Sequence, residues 1–586
     1  MQEFVTARGG GRGPRALSPR DDRRVLVFFP TYNESGNVER LVQTIREYLP
    51  GASILAVDDA SPDGTGAILD RLAEELPAVA VIHRPGKLGL GSAHKLAMLY
   101  ARDAGFDVLI TMDADFSHHP RYLPSFLDVL RDVEFVTGSR YAPGGKSDYG
   151  PGRMLLSRTA NLLAKFAVGL PLAENTTMYR GFTSSLLRRM RIESIHSEGY
   201  SFAVESLHQV AELTDKLAEV PIHFENRAAG SSKISESEIY KAVLTIQRLG
   251  IRRLLPSREE EATESRAEPV RCCLCGGIHH LEVYPAKDEE HGASLLDASP
   301  YSCATHSSRS HGQILRCLRC GLIFMKPRLS ADDLVGEYAR SEDPVYLEEI
   351  HARETTFRYN LMQVRKHIGS RDRMLEIGSY CGAFLKVARE AGLDVVGVEP
   401  SEWAVHASKQ VTDARVVRGT VDDLPDDLRR FDVVAAWDVL EHFADPVAEL
   451  RKINALLPEK GILLFSTLMI DNWFPRATGK YWPWLMDMHL FYFTEATIRN
   501  VLEETGFELV EDMKYCHIVS LEYLFEKLGT LGVPLAGPVA EGVRRFRWSR
   551  TEIPFRFGDI KLFVCRKVAD APVRSSRRLW SSAAAE

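Results

Sequence analysis

The chain has 586 residues, 45% of them hydrophobic and 26% charged, with a formal net charge of −7. That length exceeds one hydrophobic core, so two to four globular domains are expected. The acidic balance speaks against a general nucleic-acid footprint. Nine cysteines include two Cys-x-x-Cys pairs, a usage that fits metal ligation better than a secreted disulfide framework.

Residues 1–24 are Gly/Arg/Pro-rich without an apolar centre and read as a disordered tail, neither signal peptide nor membrane span. No apolar run reaches the ~18 residues of a spanning helix. From 25 to 255, short β-rich runs alternate with amphipathic stretches, the pattern of an α/β sheet. Strands are predicted at Val25–Phe29, Ser53–Val57, Val79–His83, Val108–Met112 and Glu134–Thr137. Residues 256–270 are polar, acidic and Pro-flanked and read as a linker. A Cys-rich module occupies 271–330. A second α/β pattern fills 331–568, its first strand near Met374, and 569–586 read as another disordered tail.

In an open α/β sheet, ligands collect at the carboxyl ends of the strands. Several segments of the first region fall there: Pro30-Thr-Tyr-Asn-Glu34, Val57-Asp-Asp-Ala-Ser-Pro-Asp-Gly-Thr65, Lys87-Leu-Gly-Leu-Gly91, Met112-Asp-Ala-Asp-Phe-Ser-His-His-Pro120 and Thr137-Gly-Ser-Arg-Tyr141. A last one, Asn226-Arg-Ala-Ala-Gly-Ser-Ser-Lys233, follows later. Asp113 and Asp115 share a face of an extended segment and offer hard oxygen ligands to a divalent cation. Arg140, Arg158, Arg227 and Lys233 are charge-assisted donors for a diphosphate and an anionic acceptor. Asp59 is placed to accept from a base, and Glu34 to reach a base or ribose. A single Asp-x-Asp or Arg is ordinarily solvated surface; it is the ordered set that points to a site.

That set resembles the dolichyl-phosphate mannosyltransferase branch of the family 2 glycosyltransferases over residues 24–255. The resemblance implies a GT-A fold and a nucleotide-sugar site built from Pro30, Tyr32, Glu34, Val57, Asp59, Asp113, Ala114, Asp115, Arg140, Arg227 and Lys233. Asp115 and Ser117 are the implied ligands of Mg²⁺ or Mn²⁺, and Gly199–Glu205 matches a stretch on the acceptor side. It further implies inverting transfer of a hexose, mannose from GDP-mannose in the first instance, to a polyprenyl phosphate. One run departs from the family pattern: Glu174-Asn-Thr-Thr-Met-Tyr-Arg180 stands where Asp-x-Thr-Ser-Gly-Phe-Arg is usual. A lipid acceptor implies a peripheral membrane surface, on the cytoplasmic face. Ile239, Val243, Ile246, Gly250 and Leu254 share one side of a helical pattern, with Lys241, Arg248, Arg252 and Arg253 elsewhere. This is either an interfacial helix or one packed on protein. Transfer to a soluble or cell-envelope glycan is the competing reading.

Cys272-x-x-Cys275 and Cys317-x-x-Cys320 supply four thiolates, the complement of a structural Zn²⁺. A redox pair is the alternative, without the βαβ context it would want. Beyond them, Met374-Leu-Glu-Ile-Gly-Ser-Tyr-Cys-Gly382 is a strand entering a Gly turn, and Val395-Val-Gly-Val-Glu-Pro400 ends a second strand on an acid. Gly419-Thr-Val-Asp422, Phe431 to His442 and Leu457 to Gly461 follow in order. The series resembles the class I S-adenosylmethionine methyltransferases, a Rossmann-like fold, in the subset with an N-terminal zinc domain that includes sugar C-methyltransferases. By that resemblance Glu376, Gly378, Gly382, Glu399, Asp422 and Asp438 hold the cofactor, although Tyr380 replaces the middle glycine. His489, before an aromatic strand, is the implied base or a pocket-lining residue. A regulatory module holding the cofactor or nothing is the rival for this half. The sequence leaves the oligomeric state unspecified.

Overall fold

The computed structural model describes residues 22–225 (apart from 196, 198 and 200), 245, 270–287, 311–326 and 330–571 (apart from 370, 372, 531–535, 546–547 and 549–550). The chain divides into two compact units, 1–268 and 269–586. Arg227, Lys233, the candidate interfacial helix at 239–254 (Thr245 apart) and the linker before Val270 lie outside the described residues.

The first unit is built on a seven-stranded sheet, in the order Val79–His83, Ser53–Asp58, Val25–Thr31, Val108–Thr111, Arg180–Thr183, Phe135–Ser139, Leu217–Pro221. The first four strands are parallel, and Arg180–Thr183 runs antiparallel to both its neighbours. Its strands are apolar on both faces because helices cover both. In the helix Val38–Tyr48, for instance, Val38, Leu41, Val42 and Ile45 recur at helical spacing and are the buried side. The five predicted strands form within two residues of their expected ends. Strand order reverses between Val25–Thr31 and Val108–Thr111, and that switch point opens the crevice where ligands bind such sheets.

The second unit has its own seven-stranded sheet, ordered Arg415–Arg418, Asp394–Glu399, Arg373–Ile377, Val433–Trp437, Ile462–Leu468, Ile560–Lys567, Phe507–Lys514. The first five are parallel and Ile560–Lys567 is antiparallel to both neighbours. The Cys-rich module is not an appendage. Its strands His280–Tyr284, Gln313–Cys317 and Ile323–Lys326 continue into Phe491–Tyr492 as one four-stranded antiparallel sheet. Cys272, Cys317 and Cys320 are buried in the same apolar core as the central strands.

Candidate functional site

In the first unit, backbone pairing sets the site. Pro30 lies beside Val57 and Thr31 beside Asp58, while Met112 N–H donates to the Phe28 carbonyl at 2.9 Å. Asp59 and the run Asp113–Ser117 therefore emerge just past the sheet, on either side of the segment Thr31–Glu34. Asp58 locks the rim by accepting from Thr31 Oγ1 at 2.9 Å and Ser61 Oγ at 2.6 Å. Burial works to raise its pKa, yet the nearby His83 ring and the hydrogen bonds from Ser61 and Thr31 leave it below the ordinary value. Tyr32 faces Lys87, whose ammonium is 4.8 Å from the ring centroid. Glu34 Oε2 accepts from Asn37 Nδ2 at 2.8 Å.

Asp59 pairs with Arg84, a residue the motif reading passes over. Arg84 also donates to Ser92 Oγ at 2.7 Å and to the Gly89 carbonyl at 3.1 Å. It is 2% exposed, so the pair is held away from water, and burial leaves the Asp59 carboxyl above its ordinary pKa despite the guanidinium. The available signal is that Arg84 stands one residue beyond the strand Val79–His83, level with the other strand ends.

Asp115 is 5% exposed, and its Oδ1 accepts from both the N–H of Ser117 at 3.0 Å and its Oγ at 2.6 Å. Asp115 and Ser117 thus do meet, and Ala114 is buried between the two acids. His118 backs the turn: its Nδ1 accepts from Asp113 N–H at 3.0 Å and its Nε2 lies 3.0 Å from Thr177 Oγ1. These oxygen donors at a strand end fit a hard divalent cation. Arg140 is committed to Glu174 of the divergent run. Nε and Nη2 donate to Oε2 and Oε1 at 2.7 and 2.8 Å, with Phe224 and Tyr149 packed at 5.0 and 5.6 Å from the guanidinium carbon. Only Nη1 lies outside that fork. Burial lowers the Arg140 pKa, but the Glu174 charge outweighs it and the net shift is upward. Arg158 is exposed on the helix Pro151–Leu163.

In the second unit, the four thiols of Cys272, Cys275, Cys317 and Cys320 lie within 4.8 Å of one another. Cys272 and Cys320 sulfurs are 3.5 Å apart, as are those of Cys275 and Cys317. A tetrahedral zinc with bonds of about 2.3 Å sets its sulfurs about 3.8 Å apart, so the quartet needs only a slight expansion to hold one.

A cavity of about 1380 Å³ opens over the carboxyl ends of the parallel strands. Glu376, Gly378, Glu399, Asp422 and Asp438 all line it, as do His442 and His489. Gly382 starts the helix Ala383–Glu390 below. Gly378 has φ +69°, and a Cβ there would stand 2.8 Å from the Val439 side chain, so the turn admits only glycine. Tyr380 sits at φ +43°, turns its ring against Tyr346 at 4.6 Å and Trp403 at 6.1 Å, and its N–H donates to Glu399 Oε2 at 2.8 Å. The middle glycine is thus replaced without closing the cavity. Burial raises the Glu399 pKa to about 7, even with backbone donors from Ser401 and Tyr380. It raises Glu376 further, with Glu399 adding repulsion, and Glu376 Oε2 has no hydrogen-bond partner. Two buried acids without a cation suit a cationic ligand, and the residues fit S-adenosylmethionine. Asp422 is exposed at the rim, bonded to Lys452 Nζ at 2.5 Å.

His489 stands beside His442, ring centroids 4.9 Å apart, and Glu441 completes the group. Glu441 and His442 follow the strand Val433–Trp437 in a tight turn. The Cys-rich sheet positions His489: Leu490 N–H donates to the Glu441 carbonyl at 2.8 Å, and Met325 N–H to the Leu490 carbonyl at 2.9 Å. In this turn only Asp438 carries a local sequence signal. Glu441 and His442 announce themselves only once the fold brings His489 to them.

Comparisons with known proteins follow this division. Residues 26–191 match the family model Glycosyl transferase family 2, and 350–512 match Methyltransferase domain. Undecaprenyl-phosphate mannosyltransferase of Micrococcus luteus is 40% identical over 39% of this chain and 94% of its own length. Polyprenol monophosphomannose synthase of Mycolicibacterium smegmatis is 38% identical over 42% of this chain and 92% of its own. A solved S-adenosylmethionine-dependent methyltransferase from Thermotoga maritima is 18% identical, over 38% of this chain and 96% of that one, with a TM-score of 0.26. The chain therefore belongs to glycosyl transferase family 2 through its first unit, a GT-A-like domain, and carries a Rossmann-like methyltransferase domain in its second.

Proposed function

We propose that the first unit transfers mannose from GDP-mannose to a polyprenyl phosphate with inversion, and that the second methylates a sugar or related small acceptor. What carries the reading is that two polyprenyl-phosphate mannosyltransferases are matched over more than nine-tenths of their own length. In the transfer, a phosphate-monoester oxygen of the lipid forms the new bond to the anomeric carbon. The bond from that carbon to the diphosphate breaks, and GDP leaves with the electron pair. A monoester with a second pKa of about 6 is largely dianionic at neutral pH, so no strong base is required. Positioning and charge stabilisation carry the rate.

Asp115, with Ser117 and Asp113, would hold the Mg²⁺ or Mn²⁺ that neutralises the departing diphosphate. Asp59, oriented by Arg84, and Glu34 would take the nucleoside end. Arg140 Nη1, with Arg227 and Lys233, would meet the phosphates. The helix Pro151–Leu163 and the turn after it expose Leu155, Leu162, Leu163 and Phe166 at 47–71%, beside Arg158 and Lys165. Such a face suits a bilayer surface and supports peripheral association. No described helix is long and apolar enough to cross a membrane.

In the second unit Glu376, Gly378, Gly382, Glu399, Asp422 and Asp438 would hold S-adenosylmethionine, which supplies the methyl group on its sulfonium. Zinc on the four cysteines would fix the sheet whose last strand, Phe491–Tyr492, follows His489.

The test is transfer of labelled mannose from GDP-mannose to a short-chain polyprenyl phosphate with Mg²⁺ or Mn²⁺. An organic-soluble mannolipid is expected, falling by at least about 10³-fold in Asp115→Ala. Absence of product while GDP-mannose still binds would reject the lipid acceptor.

A further inference from the structure

We propose that Glu441, His442 and His489 form a second divalent-cation site, inside the methyltransferase cavity and separate from both the cysteine site and Asp115. One ligand atom from each lies within 4.8 Å of the others, and all three residues line the same cavity. Two imidazoles and one carboxylate are a donor set for borderline ions such as Zn²⁺, Co²⁺ or Fe²⁺.

The surroundings prepare each side chain for ligation. His489 Nδ1 lies 2.7 Å from the Trp484 carbonyl, and His442 Nδ1 lies 2.8 Å from the Met488 carbonyl. A carbonyl only accepts, so both Nδ1 atoms carry the proton and both Nε2 atoms carry the lone pair. The Tyr338 oxygen, 2.7 Å from His442 Nδ1, is a second acceptor for that proton. Imidazole ligands are typically anchored through the other ring nitrogen in this way, which fixes tautomer and ring direction. Glu441 Oε2 accepts from Thr467 Oγ1 at 2.8 Å, which fixes the direction of the carboxylate. Three ligands leave open positions toward the cavity, where Asp438 also stands.

The chemical consequence is specific. A ligating nitrogen is not a base, so in the metal-loaded protein His489 does not take the acceptor's proton. An acceptor hydroxyl entering the open positions would be acidified by coordination instead, its proton passing to solvent. The class of acceptor this favours is one with neighbouring oxygens that chelate, a diol being the simplest. The site itself depends only on these side chains and not on the methyl-transfer reading.

The probe is Co²⁺ alone, added to full-length Asp115→Ala protein with zinc already in its cysteine site and with no cofactor or acceptor present. One Co²⁺ per chain is expected, with ligand-field absorption and no thiolate charge-transfer band. His442→Ala and His489→Ala should abolish that uptake. Glu441→Gln, nearly isosteric and so safe for folding, should weaken it by at least ~10-fold. No uptake beyond zinc, a thiolate-type spectrum, or uptake unchanged in Glu441→Gln would overturn the proposal. Failure of methyl transfer in a separate assay would leave it standing.

Discussion

The two catalytic regions handle buried charge in opposite ways. In the first, the buried charged groups at the strand ends are largely paired within the protein: Asp59 with Arg84, Arg140 with Glu174. In the second, Glu376, Glu399, Asp438 and Glu441 sit buried on one cavity with no Lys or Arg salt bridge among the described residues; burial raises all four pKa values, and the Arg353 charge on the same cavity only partly offsets this at Asp438. The first is a pre-paired frame, into which, on the proposed reading, a diphosphate would bring its own cation. The second holds more buried acid than base around Glu376 and Glu399, and on the proposed reading a cationic ligand would balance it. Pre-pairing gives geometry that does not depend on loading, whereas unpaired burial gives a site whose protonation follows occupancy.

Breaking a pair in the first region is the largest test of that contrast. Glu174→Ala leaves the Arg140 guanidinium buried with its partner gone, a loss of about 3–5 kcal/mol in comparable buried pairs. A change of that size is expected in denaturant unfolding of the first unit, with mannosyl transfer reduced through both stability and position. Glu174→Asp restores the charge and the family's usual residue but shortens the reach, and should recover much of the loss. If Glu174→Ala cost under about 1 kcal/mol, as for a solvated surface pair, the frame would not be the pre-paired device described.

What could be read in advance were the features that local sequence encodes. Strand ends carrying Asp59, Asp113 and Asp115, the glycines at 378 and 382, and the cysteine quartet all declare themselves over a few residues. The pairs that give each region its character do not. Arg140 and Glu174 are 34 residues apart, and they meet because Arg180–Thr183 inserts antiparallel between Val108–Thr111 and Phe135–Ser139, a strand without a periodic signal of its own. His489 joins Glu441 and His442 because the cysteine module extends its sheet into Phe491–Tyr492. Sheet order, not motif, decides both. The basic helix expected at 239–254 lies outside the described residues, and it is the earlier helix, with Leu155, Leu162 and Phe166, that shows an exposed apolar face.

The second region's side of the contrast is tested by pH. Burial lifts Glu399 to about 7, and on the proposed reading the ionised form would accept from ribose hydroxyls and favour a cationic ligand. Lowering pH through 7 protonates the empty site, so binding must then expel a proton. Affinity for S-adenosylmethionine should be near its plateau at pH 8 and about tenfold weaker at pH 6. Calorimetry in buffers of different ionisation heat should show protons released on binding at the lower pH. Glu399→Gln should bind more weakly at pH 8 and lose most of that slope. A flat profile in the unmodified protein would place Glu399 outside the cofactor's reach.

The smallest effect sharpens the comparison at one residue. Tyr380 adopts φ +43°, which costs a non-glycine residue about 1–2 kcal/mol. Its ring repays some of this through the edge-on contact with Tyr346 and the tilted contact with Trp403, aromatic pairs being worth roughly 0.5–1.5 kcal/mol beyond the buried area. Tyr380→Gly relieves the backbone but removes both contacts and the ring's buried area, so the terms only partly offset. A net destabilisation of about 1 kcal/mol is expected, a fall of roughly 2–4 °C in the melting of the second unit. Because the Tyr380 N–H that orients Glu399 is kept in the variant, cofactor affinity should move by no more than a few-fold. A loss far larger than that would mean the ring itself touches the cofactor; the second region would then depend on an aromatic contact as well as on unpaired acids.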